Sequence, residues 1–157
     1  MVKNYYDAEN YKPTQSLGFL TRRTAKLMTG HLDALFAVQD VTFVQYSVMV
    51  NIREGLAVTA SDICQKISHD TGALTRLIDQ LEERGLLERE RSEADRRRVE
   101  IRLTPAGDKK LEHLIRIVVD FWNDMLADFS KEEADIMTDI LSRMTAKLAE
   151  LPKAKAA

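Results

Sequence analysis

Apolar positions along the chain change their spacing several times, and each change marks an element. From Ser16 they recur at Leu17, Leu20, Leu27, Met28, Leu35 and Phe36, with His31 in the same register. Three- and four-residue spacing predicts a helix. It breaks at Gln39-Asp40-Val41. Thr42 and Gln45 then read as a T-x-x-Q capping box, in which each side chain satisfies a backbone N–H of the first turn. The helix they open carries Val44, Tyr46, Val48, Met49 and Ile52, and Gly55 closes it by accepting positive φ. Thr59 with Asp62 resembles a further cap, with Asp in place of Glu or Gln. Its short helix places Ala60, Ile63, Cys64 and Ile67 on one side. Ser68 and His69 make a turn. Asp70 is a good N-cap for a helix with the stripe Leu74, Leu77, Ile78 and Leu81, which Gly85 stops.

After Gly85 the period becomes two. Leu87 starts an extended segment, and Val99, Ile101 and Leu103 alternate with Arg98, Glu100 and Arg102, as in a strand with one buried face. Residues Glu93 to Arg98 form a polar hairpin tip between two strands. Thr104-Pro105 supplies an N-cap and a first helical residue. That helix runs to about Ala127, with Leu111, Leu114, Ile115, Val118, Phe121, Trp122 and Met125 covering much of its circumference. Ser130 with Glu133 caps the last helix, which carries Ile136, Met137, Ile140, Leu141, Met144 and Leu148 and ends at Pro152.

The expected fold is mainly α, in the order α-α-α-α-β-β-α-α, with or without a short extra wing strand. Two short capped helices joined by a tight turn and followed by a hairpin make a winged helix-turn-helix over residues 41–103. Residues 1–40 and 104–150 are expected to flank it as helices, which the resemblance given below implies are dimerisation helices, and 151–157 as a tail. The last two helices carry more apolar face than a wing domain of this size can cover, and pairing with a second copy would bury it.

Composition adds limits. The chain has 157 residues, 23 Lys+Arg against 25 Asp+Glu and a net charge of -2. That argues against a generally basic nucleic-acid coat, but not against a local basic patch. One cysteine excludes an intrachain disulfide and a CxxC motif. The start of the chain does not read as a signal peptide, and no stretch approaches the roughly 18 apolar residues of a membrane span. A cytoplasmic protein is the expectation.

The helix from Asp70 to Arg84 is the recognition-helix candidate. Its exposed face should hold His69, Asp70, Thr71, Gly72, Thr75, Arg76 and Asp79. Small polar residues near a helix N-terminus allow close approach to phosphates and base edges. Gly72 costs about 1 kcal/mol relative to Ala, which such an approach would justify. Arg76 can contact guanine or phosphate. An ordinary solvated helix face fits these residues equally. The tip is more telling. Arg96, Arg97 and Arg98 repel one another and gain nothing from core packing, whereas a minor groove attracts arginine. Asp95 can fix the Arg97 guanidinium by a charge-assisted pair. The competing reading is a solvated charged loop.

The run Ile67 to Leu87, with Asp95-Arg96-Arg97, Leu103-Thr104-Pro105-Ala106-Gly107 and Val41 to Tyr46, resembles the MarR family of transcription regulators. The resemblance extends from about Leu17 to Met144. It implies a homodimer with interlocked terminal helices, binding double-stranded DNA at a pseudo-palindromic operator, usually as a repressor. It also implies release by small phenolic or carboxylate compounds, and in some members by thiol oxidation or metal. By motif position, Asp95 and Arg97 match the family's wing pair, and Thr71, Thr75 and Arg76 its recognition-helix contacts. His69 departs from the family pattern and reads better as a turn cap than as a phosphate contact.

A small-molecule effector could sit between dimer helices and wing domain, with Arg23, Met28, His31, Phe36, Tyr46, Met49 and Trp122 as candidate lining. Such stripes are more often core. Cys64 lies on an apolar helix side with no basic cluster to make it a thiolate, so a packing role is expected. His31, His69 and His113 show no ligand spacing, and no metal or cofactor is expected. Catalytic motifs are absent. A winged-helix module that docks protein rather than DNA is the alternative.

Overall fold

The computed structural model describes residues 5–67, 71–91 and 98–151, with no side-chain detail for Thr71. A 3-10 turn at Pro13–Gln15 leads into α1 (Leu17–Ala37), followed by α2 (Phe43–Arg53), α3 (Ala60–Ile67), α4 (Thr71–Glu83), β1 (Leu87–Arg91), β2 (Val99–Leu103), α5 (Pro105–Met125) and α6 (Lys131–Glu150). The chain falls into two compact units, Met1–Ile117 and Val118–Ala157.

Local chemistry sets the helix ends. The Ser16 hydroxyl accepts the Phe19 N–H, and the Tyr6 hydroxyl accepts the Leu17 N–H, so two open donors of the first turn of α1 are satisfied. Thr42 and Gln45 form the expected reciprocal box on α2, as do Ser130 and Glu133 on α6. Both α2 and α4 end at a left-handed glycine, Gly55 at φ 63° and Gly85 at φ 67°. The following N–H, of Leu56 and Leu86 respectively, bonds back to the carbonyl of Asn51 and Leu81. These are Schellman closures. The turn after α1 has the same hydrogen bonds, Asp40 N–H to Ala37 and Val41 N–H to Phe36, but puts Asp40 at φ 59°. The backbone of Leu151 is extended (ψ 136°), as a residue preceding proline requires.

The core of the first unit gathers Val48, Met49 and Ile52 from α2, Ile63 from α3, and Leu74, Ile78 and Leu81 from α4. Leu87 and Ile101 enter from the hairpin and Leu111 from α5. The strands are antiparallel with Leu87 opposite Leu103, Arg89 opposite Ile101 and Arg91 opposite Val99. The Ile101 N–H donates to the Val58 carbonyl at 2.8 Å, tying the hairpin to the segment before α3. That bond stands where an extra wing strand would pair, yet the sheet has two strands among the described residues.

Four expectations from the apolar pattern need correction. On α1 it is Leu32 and Phe36, one turn apart, that are buried, while Leu17, Leu20, Leu27, Leu35 and His31 are exposed. Ala60 faces solvent on α3. Val99 has the alternation of a core position but is 46% exposed, because it stands at the far end of the hairpin, beyond the last core residue, Ile101. α5 ends at Met125, two residues earlier than expected.

The start of α5 is bound to the turn between α4 and β1. The Thr104 hydroxyl donates to the Gly85 carbonyl at 2.6 Å and accepts the Gly107 N–H at 3.0 Å. The Thr104 N–H donates to the Leu86 carbonyl. Gly107 is buried against that same carbonyl. In the second unit, α6 buries none of its residues; Ile136, Met137, Ile140, Leu141 and Leu148 are exposed.

Candidate nucleic-acid interface

The helix-turn-helix begins where Thr59 and Asp62 cap α3. The Asp62 N–H donates to the Thr59 hydroxyl at 3.2 Å, and the Thr59 N–H to the Asp62 carboxylate at 3.1 Å. These hydrogen bonds, the Thr59 side chain first, hold the Asp62 carboxyl below its ordinary range, and Arg98 nearby adds to the effect. α4 is seated by Leu74, Ile78 and Leu81, each buried, with Leu77 half-buried. Gln45, itself buried, accepts the Thr42 N–H with its amide oxygen and donates to Gln80 of α4 at 3.4 Å. This polar contact ties the capped end of α2 to α4.

With one stripe of α4 inside, the opposite face shows Gly72, Thr75 and Arg76, all exposed. Thr71 begins the helix. Asp79 is different: it is half-buried, and the Arg89 guanidinium on β1 bonds both to it and to Glu82. The sequence pattern groups Asp79 with the exposed face and gives Arg89 no role. No local spacing signals this contact: the strand register sets Arg89 opposite Ile101, and the placement of α4 brings its two carboxylates, one turn apart, within reach. Across the outer face of the hairpin, Arg102 pairs with Glu90 at 3.2 Å and with Glu100 at 3.3 Å.

Of the expected wing residues, Arg98 is described. Its guanidinium stands 3.9 Å from the Asp62 carboxylate, which places the base of the wing beside the cap of α3. Asp95, Arg96 and Arg97 lie outside the described residues, as do His69 and Asp70.

The candidate effector residues of the first unit differ in burial. Phe36 and Met49 are fully buried in this chain. Phe36 packs on Tyr46 at 5.2 Å between ring centroids, and Tyr46 on Phe43 at 5.9 Å. Burial pushes the Tyr46 phenol up, and Arg53 offsets part of that. Arg23 and His31 are exposed and Met28 is half-buried. Trp122 belongs to the second unit, edge-on to Phe121. An open groove of about 510 Å³ lies elsewhere, between the α1–α2 turn and α4, with Asp33, Val44, Gln45, Ala73, Arg76 and Leu77 in its walls. Cys64 is half-buried and packs against the core. Among the described residues no group of three His, Cys, Asp or Glu side chains could hold a metal, and no helix is long and apolar enough to cross a membrane.

Comparison with known proteins bears on this architecture. The model of the MarR family matches residues 39–98, the stretch that holds α2 to the wing. The organic hydroperoxide resistance transcriptional regulator of Bacillus subtilis is 30% identical over 106 residues, covering 68% of this chain and 71% of the relative. The chain belongs to the MarR family. It is thereby a winged-helix transcriptional regulator of a DNA-binding family. The HTH-type transcriptional regulator YdgJ, also of Bacillus subtilis, is 36% identical over 87 residues, spanning 55% of this chain and about half (53%) of its own length. Among solved structures, apo MarR from E. coli superposes with a TM-score of 0.72 at 26% identity, over 82% of this chain and 96% of that one. The S. aureus MepR–DNA complex shares the fold, with a TM-score of 0.71 at 22% identity over 87% of this chain and 99% of that one.

Proposed function

We propose that the chain is a homodimeric repressor that binds a pseudo-palindromic operator. Thr71, Gly72, Thr75 and Arg76 enter a major groove, and the wing residues Asp95, Arg96, Arg97 and Arg98 reach the adjacent minor groove. The observation that carries this reading is the division of α4. One face is locked into the core by Leu74, Ile78 and Leu81, and the other presents Gly72, Thr75 and Arg76 to solvent. A helix held rigidly with a small, polar and basic outer face is shaped to approach base edges. Residues 41–103 act as the reading head, and residues 1–40 and 104–150 as the dimerisation helices.

Dimerisation is supported by the apolar side chains left outside. Leu17, Leu20, Leu27 and Leu35 on α1 are exposed, as are Ile136, Ile140, Leu141 and Leu148 on α6. Exposed apolar faces of this extent mark an interaction surface. A two-fold pairing would set two recognition helices about one turn of DNA apart. Release of DNA by a small aromatic or carboxylate ligand completes the proposal. The groove beside Arg76 supports it better than the seven residues read from the sequence, because an anion held there would engage a guanidinium needed for DNA.

The test is a fluorescence anisotropy titration of a selected duplex with the wild-type chain, Arg76→Ala and Arg97→Ala. Each substitution is expected to weaken binding by about 1–3 kcal/mol, and where the guanidinium meets a phosphate its removal lowers the salt slope by about one. Unchanged affinity in both would refute the assignment.

A further inference from the structure

One side chain on the hairpin is out of keeping with its position. Arg89 pairs across the sheet with Ile101, a residue 3% exposed, so the two share the face turned to the core. Period-two alternation along β1 puts Leu87, Arg89 and Arg91 on that face. Leu87 fulfils the pattern and is 2% exposed. Arg89 instead reaches α4, where its two terminal nitrogens bond separately to Asp79 and Glu82. One planar fork thus joins the first strand of the wing to two successive turns of the recognition helix.

We infer that Arg89 is a positioning residue for DNA binding: its clamp on Asp79 and Glu82 fixes the wing against the recognition helix. This rests on the DNA-binding reading proposed above. Two consequences follow from the geometry. The helix and the wing must enter neighbouring grooves together, so their mutual angle has to be set before contact, and a planar two-toothed cation fixes an angle that a single apolar contact would not. The clamp also neutralises two carboxylates that α4 would otherwise carry toward a polyanion. At the opposite side of the wing base, Arg98 beside Asp62 gives a second ionic tie, to α3.

A double-mutant cycle separates positioning from direct contact. Operator affinity and its salt dependence are measured for wild type, Arg89→Gln, the pair Asp79→Asn with Glu82→Gln, and the triple variant. Urea unfolding of each checks that the fold is retained. Arg89→Gln alone is expected to weaken binding by about three- to tenfold with the salt slope unchanged. In the background lacking the carboxylates, the same substitution is expected to have no further effect. If instead it weakens binding equally in both backgrounds and lowers the slope by about one, Arg89 touches phosphate directly and the inference is overturned. Amide hydrogen exchange of residues 87–91 without DNA is the second arm. Faster exchange in Arg89→Gln supports the clamp, and unchanged exchange overturns it. A wild-type chain that binds no duplex refutes the DNA-binding reading, while the exchange arm still decides the clamp.

Discussion

Replacing Gly107 by alanine tests the joint between the α4–β1 turn and the start of α5. A Cβ at this position would stand 2.0 Å from the Leu86 carbonyl oxygen, 2.9 Å from its carbon and 3.1 Å from a methyl of Leu103. The first distance is more than an ångström inside ordinary contact, and the opposing atom is backbone, so the start of α5 must move. Movement strains the bond from the Thr104 N–H to the Leu86 carbonyl and that from the Thr104 hydroxyl to the Gly85 carbonyl. Three effects compete. Alanine is the better helix former and gains up to about 1 kcal/mol. Overpacking costs about 1–3 kcal/mol. Weakening one of the two hydrogen bonds costs about 1 kcal/mol more. The unfavourable side prevails, with a net destabilisation of about 1–3 kcal/mol. Urea unfolding at fixed protein concentration reads it as a lower midpoint with an unchanged slope. A variant as stable as wild type, or more so, would refute the close approach of α5 to Leu86.

Asp40 holds a left-handed backbone that glycine adopts without strain, so Asp40→Gly should raise stability by about 0.5 kcal/mol, and a fall in the unfolding midpoint would count against this turn geometry. Because the Asp62 carboxyl is held below its ordinary range, its cap stabilises the fold above the unfolded carboxylate range and loses that contribution as pH falls through the folded value. The stability difference between wild type and Asp62→Asn should therefore be present at pH 7 and shrink toward pH 3; a constant difference would show that the carboxylate charge contributes nothing to the cap. Under the proposed pairing, Ile140→Asp on α6 should weaken self-association measured by sedimentation, and unchanged self-association would exclude that face from the interface.

Capping residues make much of the fold readable in advance. Thr42 with Gln45, Thr59 with Asp62 and Ser130 with Glu133 are local devices whose partners lie three residues away, so sequence spacing is enough to find them. Gly55 and Gly85 announce two helix ends for the same reason. What the sequence hides depends on distant partners. The burial of Leu32 rather than Leu35 on α1 follows from which side α2 packs against. Arg89 reads as one more charge in a Leu-Glu-Arg-Glu-Arg strand, and only the strand register and the placement of α4 bring it to Asp79 and Glu82. In the same way the spacing of the aromatic and methionine stripe does not reveal that Phe36 and Met49 are fully buried.

Sequence-selective DNA binding by paired winged helices is the central proposal, and the division of α4 is the observation behind it. Selection of bound duplexes from a random library by the wild-type chain puts it to the proof. The expected result is enrichment of a palindrome with half-sites about one helical turn apart, abolished by Arg76→Ala. Enrichment of no sequence, at a salt concentration where the chain is a folded dimer, would contradict it.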